Sequence, residues 1–266
     1  MQTTDGTSSE IELYHEVRGA GPTLLLVPPT PGDGGVFQAL AEALDGYTVV
    51  TYDRRGTSRS PRPGGWSTTT VAEHADDAAG LLRRITSEPA LVYGTSNGAL
   101  VALELALRHP GRVSAAIVHE MPLLPVLADP EPIGRMLGEL IGSGMQRGGA
   151  VGALDAFLRF AYGDQLIDQL DPALRARLYT NAEMIFSIEF PGFQAYRPDE
   201  DALASLGVPV RVLVGEDQAL PFFGEAAAWL TGRVGGQVVA SPGAHGPHWS
   251  HPVELAALVS RYASSN

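Results

Sequence analysis

Short runs of apolar and β-branched residues recur along this chain at 11–17, Thr23–Val27, 47–52, 90–93, Val113–His119, 208–214 and 237–240. From the third onward, helix-like stretches separate them, at 70–85, Asn97–Arg108, 222–230 and 252–262. Such alternation predicts an α/β architecture built on a mostly parallel sheet. Several runs are apolar at consecutive positions, as in Leu24 to Val27, which is what a strand covered by helices on both faces requires. With 266 residues, 44% of them hydrophobic, the chain can bury one large core without being split into independent domains.

One region breaks the pattern. Between 122 and 206 no strand-like run occurs, and apolar residues fall at helical spacing: Leu137, Leu140, Ile141 and Met145, then Leu154, Phe157, Leu158 and Ala161. The predicted organisation is therefore a core of 1–121 and 207–266 with a helical cap inserted at 122–206. Met136, Met145, Phe160, Tyr162, Met184, Phe186, Phe190 and Phe193 supply apolar side chains for a pocket above the sheet, and the glycines of 142–152 suggest a loop or hinge.

Eighteen basic residues against thirty acidic ones give a net charge of −12, which disfavours nucleic acid and anionic membranes as partners. The absence of cysteine removes disulfides, thiolate metal sites and a cysteine nucleophile. The first ten residues lack the basic and apolar segments of a secretory signal, so a cytoplasmic location is expected. His245, His248 and His251 are spaced by three, but the prolines around them and the lack of neighbouring carboxylates argue against a metal site. No metal or other cofactor is expected.

The chemistry is concentrated at Gly94-Thr95-Ser96-Asn97-Gly98, which follows the run at 90–93 and opens into Ala99 to Leu107. A serine hydroxyl is a weak nucleophile, so it needs a sharp strand-to-helix turn to expose it and a base to take its proton. Glycines on both flanks suit such a turn. Attack on a carbonyl further requires two backbone N–H donors for the oxyanion. Asn97 supplies one; Thr30, in the turn Val27-Pro28-Pro29-Thr30-Pro31-Gly32-Asp33, supplies the other, because the prolines have no N–H. Of the seven histidines, His245, His248 and His251 follow the final strand run, where a loop overhangs the sheet, whereas His74 and His109 read as structural.

Several motifs together resemble the α/β-hydrolase fold family from Thr23 to the C-terminus. They are the pentapeptide around Ser96; Asp53-Arg54-Arg55-Gly56-Thr57-Ser58-Arg59-Ser60; Arg108-His109-Pro110-Gly111-Arg112-Val113; and Ala244-His245 with Pro252 seven positions on. The last spacing selects His245 as the base. The family commonly places its acid three positions past the glycine ending the 208–214 run, where this chain has Gln218. The resemblance instead points to the branch whose acid follows the next strand after the nucleophile, including the zearalenone lactonase-like serine hydrolases, through His119-Glu120-Met121-Pro122 and the Val27-Pro28 turn ending in Gly32. It implies Glu120 as the acid, with Asp217 as the alternative. Asp53, Arg54, Arg55 and Ser60 are then structural residues of the loop beside the site.

These readings predict a cofactor-independent serine hydrolase acting on a neutral, hydrophobic small-molecule ester or lactone of moderate size, such as a polyketide-like macrolactone. Met121, Met184, Phe186, Phe222 and His248 are candidate pocket residues. The branch implies a cap tryptophan, yet Trp66, Trp229 and Trp249 all lie outside 122–206. Two alternatives stand beside this: the same fold catalysing carbon–carbon hydrolysis, perhydrolysis or cyclisation, and a non-catalytic protein that captures a hydrophobic ligand. A homodimer is left open.

Overall fold

A computed structural model describes residues 11–218 and 220–263. Seven strands form one sheet: β1 (His15–Arg18), β2 (Thr23–Val27), β3 (Thr48–Tyr52), β4 (Ala90–Thr95), β5 (Val113–His119), β6 (Val210–Gly215) and β7 (Val238–Ser241). Their order is β1-β3-β2-β4-β5-β6-β7; β1 runs antiparallel to β3 and every other pairing is parallel. This is the α/β-hydrolase fold. The first run is shorter than its sequence suggests, because ladder pairing begins only where His15 meets Tyr52, although Leu13 is already buried.

Side-chain alternation along the central strands divides the core. Leu25, Val27, Val92, Ala116 and Val118 face one apolar cluster, and Leu24, Leu26, Leu91, Ala115 and Ile117 face the other. Helices α1 (Gln38–Ala43), α2 (Val71–Ile85) and α3 (Asn97–Arg108) join these strands. Residues of α2 and α3 pack in the first cluster, and those of α1 in the second. Only six residues long, α1 leaves no extended periodic signal in the sequence.

Between β5 and β6 the chain is helical: α4 (Glu131–Tyr162), α5 (Asp164–Asp168), α6 (Pro172–Thr180), α7 (Ala182–Met184), α8 (Phe190–Gln194) and α9 (Glu200–Ala204). A π-helical turn, Ile185–Glu189, joins α7 to α8. The expected loop at 142–152 is instead helical, broken where Gly148 and Gly149 leave helical φ/ψ. Glycine is needed beside the break because the two arms touch there: a Cβ on Gly144 would sit 2.6 Å from the Ala153 Cα, and one on Gly152 would sit 2.5 Å from the Gly144 carbonyl oxygen. The helical segment has its own apolar cluster of Leu154, Leu158, Ile167, Ile185, Ile188 and Phe190, against which Trp66 and Trp249 pack from the sheet side. The chain closes with α10 (Pro221–Val234), α11 (Pro247–Ser250) and α12 (Pro252–Ala263). No helix among the described residues is long and apolar enough to cross a membrane.

Candidate active site

Ser96 stands between β4 and α3 with φ 54° and ψ −130°, a conformation that L-residues seldom adopt and that an elbow needs in order to present its side chain. The turn is locked by the Ser96 N–H donating to the His119 carbonyl at 2.9 Å and the Ser96 carbonyl accepting from Ala99 N–H at 2.9 Å. The flanking glycines serve close approach, not positive φ. A Cβ on Gly94 would lie 2.3 Å from the Gly98 oxygen, and one on Gly98 would lie 2.3 Å from the Val27 oxygen. Glycine at both positions therefore lets α3 start directly over β4 and β2.

Glu120 ends the neighbouring strand, and it too is left-handed, with φ 45°. Its N–H donates to the Leu213 carbonyl at 3.0 Å, and the bend turns its side chain inward until it is 1% exposed. Oε2 lies 2.6 Å from His245 Nδ1. Oε1 accepts from the Gly215 N–H at 2.9 Å, an approach that a side chain at 215 would obstruct, since its Cβ would meet Oε1 at 2.9 Å. Burial alone would push the Glu120 carboxyl up, but the His245 hydrogen bond, the neighbouring imidazoles and the Gln218 amide outweigh it and bring it down to about 2. An ionised carboxylate can only accept, so Nδ1 of His245 carries the proton. Nε2 has no hydrogen-bond partner among the described residues.

Gln218 stands beside the Glu120 carboxylate at the end of β5. Its Nε2 donates to Glu120 Oε2 at 2.6 Å, while its Oε1 accepts from the Leu220 N–H at 2.7 Å. A carboxylate in that place would face Glu120 with like charge; a neutral amide adds a donor. Asp217 is exposed and makes no hydrogen bond to His245. Next to Glu120 in the chain, His119 Nδ1 is 2.8 Å from Thr95 Oγ1, and burial drops this imidazole to about 4 despite the Glu120 charge. His248, fully buried against Phe37 and Tyr162, is held well below the ordinary histidine range by burial and by the imidazoles of His119 and His245. At neutral pH both are uncharged.

On the other side of Ser96, the turn after β2 carries Thr30, which is 2% exposed. Asn97 Nδ2 donates to Thr30 Oγ1 at 2.7 Å, and Thr30 Oγ1 donates to Glu189 Oε1 at 2.6 Å. Neither the Thr30 nor the Asn97 backbone N–H has an acceptor among the described residues. Beside them, Asp53 accepts from Gly34 N–H at 2.8 Å and from Arg59, Arg55 pairs with Asp77 and Glu73, and Ser60 Oγ donates to the Asp53 carbonyl at 2.6 Å. Of the loop arginines 54, 55 and 59, Arg54 alone is fully buried, with Nη2 2.8 Å from Glu189 Oε1.

Ser96, Asn97 and His245 open onto one cavity whose other walls are apolar apart from Gln194, and include Phe157, Phe160, Phe190, Phe193, Phe222 and Phe223. Six of the chain's eight phenylalanines thus meet there. Phe223 also stacks on the His245 ring at 5.0 Å between centroids. Of the pocket residues expected from sequence, Phe222 lines this cavity. The others do not: Met121 packs in the larger core cluster, Met184 in the cluster of the helical segment, Phe186 against Phe190, and His248 beneath Tyr162 and Trp249. Hydrophobicity marks these residues as buried without saying which side of the wall they occupy. Glu189 and Asn181 have no local signature, yet each hydrogen-bonds to the Thr30 turn.

Comparison with known proteins agrees with this architecture. Residues 22–138 match the family model described as alpha/beta hydrolase fold. The uncharacterized hydrolase YraK of Bacillus subtilis (strain 168) is 47% identical over 116 residues, which span 43% of this chain and 43% of that protein. A zearalenone hydrolase of Bionectria ochroleuca is 28% identical over 270 residues, covering 97% of this chain and 96% of the relative. A thermophilic esterase from Thermogutta terrifontis superimposes with a TM-score of 0.75 at 24% identity, covering 98% of this chain and 96% of that one. The protein has the α/β-hydrolase fold. Over nearly its whole length it resembles zearalenone hydrolase.

Proposed function

We propose that this protein is a serine hydrolase of the esterase and lactonase type, with Ser96 as nucleophile, His245 as general base and Glu120 as the acid. The observation that carries the reading is the 2.6 Å contact between Glu120 Oε2 and His245 Nδ1, made at the wall of the cavity onto which the strained Ser96 elbow opens. His245 Nε2 takes the hydroxyl proton as Ser96 Oγ attacks the carbonyl carbon, and the Thr30 and Asn97 amides receive the negative charge on the carbonyl oxygen. Collapse of the tetrahedral species expels the alcohol, protonated by His245, and leaves an acyl-enzyme. Water, deprotonated by the same nitrogen, attacks that ester and releases the acid. Glu120 stabilises the imidazolium in both halves. In this reading 122–206 forms a cap over the core of 1–121 and 207–266.

The phenylalanine-rich cavity favours a neutral, hydrophobic acyl or alcohol group. The relative's name suggests a macrolactone, and here Trp66 and Trp249 reach the helical segment from the sheet side, whereas the segment has no tryptophan of its own. The test is a panel of aryl esters and macrolactones with wild type and Ser96→Ala, together with labelling by a fluorophosphonate and peptide mapping. Turnover lost in Ser96→Ala and label on Ser96 are expected. Retained turnover, or label elsewhere, refutes the assignment.

A further inference from the structure

We propose that Glu189 and Arg54 are positioning residues for the oxyanion side of the site, acting through the hydroxyl of Thr30, so that the seating of the helical segment and the placing of the oxyanion donors are one variable. This rests on Ser96 acting as the nucleophile with the Thr30 and Asn97 amides as donors.

The chemistry of the three side chains fixes the direction of the chain of hydrogen bonds. A hydroxyl has a single proton, and the carboxylate of Glu189 can only accept, so Thr30 donates to Glu189 Oε1 at 2.6 Å. The Thr30 oxygen is then an acceptor and receives the Asn97 Nδ2 proton at 2.7 Å. Thr30 and Asn97, whose backbone N–H groups have no acceptor among the described residues, are therefore tied to each other by their side chains, and the pair is tied to one carboxylate. Arg54 Nη2 neutralises that carboxylate at 2.8 Å, reaches the Pro29 carbonyl at 3.4 Å, and lies over the ring of Phe193, itself a cavity wall, at 5.2 Å.

Arg54 and Glu189 side chains are 0% and 1% exposed, yet Arg54 Nε and Nη1 and Glu189 Oε2 find no hydrogen-bond partner among the described residues. A buried ion pair satisfied on one side only is a poor stabiliser, since its desolvation cost rivals the attraction it gains. Its placement accounts for it better than its energy does. Two more contacts grip the same turn from the helical segment: Asn181 Nδ2 donates to the Pro31 carbonyl at 3.0 Å, and Arg177 Nε pairs with Asp33 Oδ2 at 3.0 Å. Thr30, Pro31 and Asp33 are thus held by residues 189, 181 and 177.

The experiment compares Thr30→Val, Thr30→Ser and the double variant Arg54→Met/Glu189→Leu with wild type, measuring kcat and KM on an aryl ester, inhibition by an arylboronic acid that forms a tetrahedral adduct, and Tm. Thr30→Val is expected to lose roughly 10- to 100-fold in kcat, as for a displaced oxyanion donor, with KM within about twofold and boronic acid affinity falling in parallel. Thr30→Ser restores kcat to within about threefold, because the hydroxyl returns. The apolar double variant keeps its Tm while kcat falls as in Thr30→Val. A Thr30→Val or double variant that folds and retains wild-type kcat, or that loses activity through KM alone, overturns the proposal. A wild type that neither turns over esters nor is labelled at Ser96 overturns the reading beneath it and this proposal together.

Discussion

The two flanks of Ser96 are built from different parts of the chain. On one flank, Glu120, His245, Gly215 and Gln218 all sit at the ends of β5, β6 and β7 or in the loops just beyond, and no residue of 122–206 hydrogen-bonds to them. On the other, the Thr30 turn is bonded to Glu189, Asn181 and Arg177, all from that helical segment. The proposed acid–base pair is therefore hydrogen-bonded from the sheet edge, and the helical segment reaches it only through the Tyr162 ring, 5.2 Å from that of His245. The proposed oxyanion side is hydrogen-bonded from the helical segment itself. Disturbing the helical segment should alter transition-state stabilisation while leaving the proton-transfer pair in place.

The largest test of this division is on the sheet side. Glu120→Gln should lower kcat by roughly 10²- to 10⁴-fold, because the amide cannot stabilise imidazolium and can hold the wrong tautomer. Asp217→Asn, at an exposed position without a contact to His245, should stay near wild type. A reversal of these two results would move the acid to the β6 loop. Next in size is Gln218→Glu, which sets a second carboxylate on Glu120 Oε2. The pair then shares a proton, and activity near pH 6 should fall by about tenfold and recover as pH rises. An unchanged pH–rate profile would show that Gln218 is not close to the working acid.

A smaller effect should appear in stability. The Glu120 carboxyl stands at about 2 in the folded protein against its ordinary 4.5, so its ionised form favours the fold. That contribution, at most about 3 kcal/mol, is complete above pH 4.5 and disappears as pH falls through about 2. Urea unfolding of wild type and Glu120→Gln should differ by a constant amount from pH 7 to pH 5, and more than half of the ionisation-linked difference should be gone by pH 3. A difference that stays flat to pH 3 would show that the carboxylate is not stabilised in the fold. The mildest change is Asn181→Ala, which removes one of three grips on the Thr30 turn; kcat should fall by about two- to fivefold with KM steady. A rise in KM alone would mean that the segment serves substrate binding and not the turn.

Much of the sheet side is legible in the amino-acid sequence, and for a physical reason. Ser96, Glu120 and His245 each lie just past an apolar run, and in a parallel sheet all such positions converge on the C-terminal edge. Gln218 stands where the fold family commonly has a carboxylate, and a neutral amide cannot balance imidazolium, which is why the sequence points to Glu120 as the proposed acid, with Asp217 as the alternative. The Thr30 turn can be placed for the same reason, but not its partners. Glu189 is 159 residues from Thr30 in sequence, and a single carboxylate among Ile185, Phe186, Ile188 and Phe190 is the only trace it leaves. Met121, Met184, Phe186 and His248 lie outside the cavity lining, because the first two and His248 are buried, and Phe186 half-buried, in packed surroundings that composition cannot distinguish from a cavity lining. The hinge expected at 142–152 narrows to Gly148 and Gly149, since Gly144 and Gly152 let two helical arms touch.

The π-helical turn at Ile185–Glu189 determines how this segment tolerates insertions and deletions. A π turn is an α-helix carrying one extra residue, so everything beyond it is rotated by about 100° relative to an uninterrupted helix. Removing a single residue, for example the half-buried Phe186, would let the helix run straight and would swing Phe190 and Phe193 off the cavity wall while disturbing the aim of Glu189. The extra residue acts as a shim: it sets the phase between two ends of one helix, one packed in the helical cluster and the other facing the site. Length variation among relatives at this point would accordingly change which side chains meet the substrate without changing the sequence of any of them.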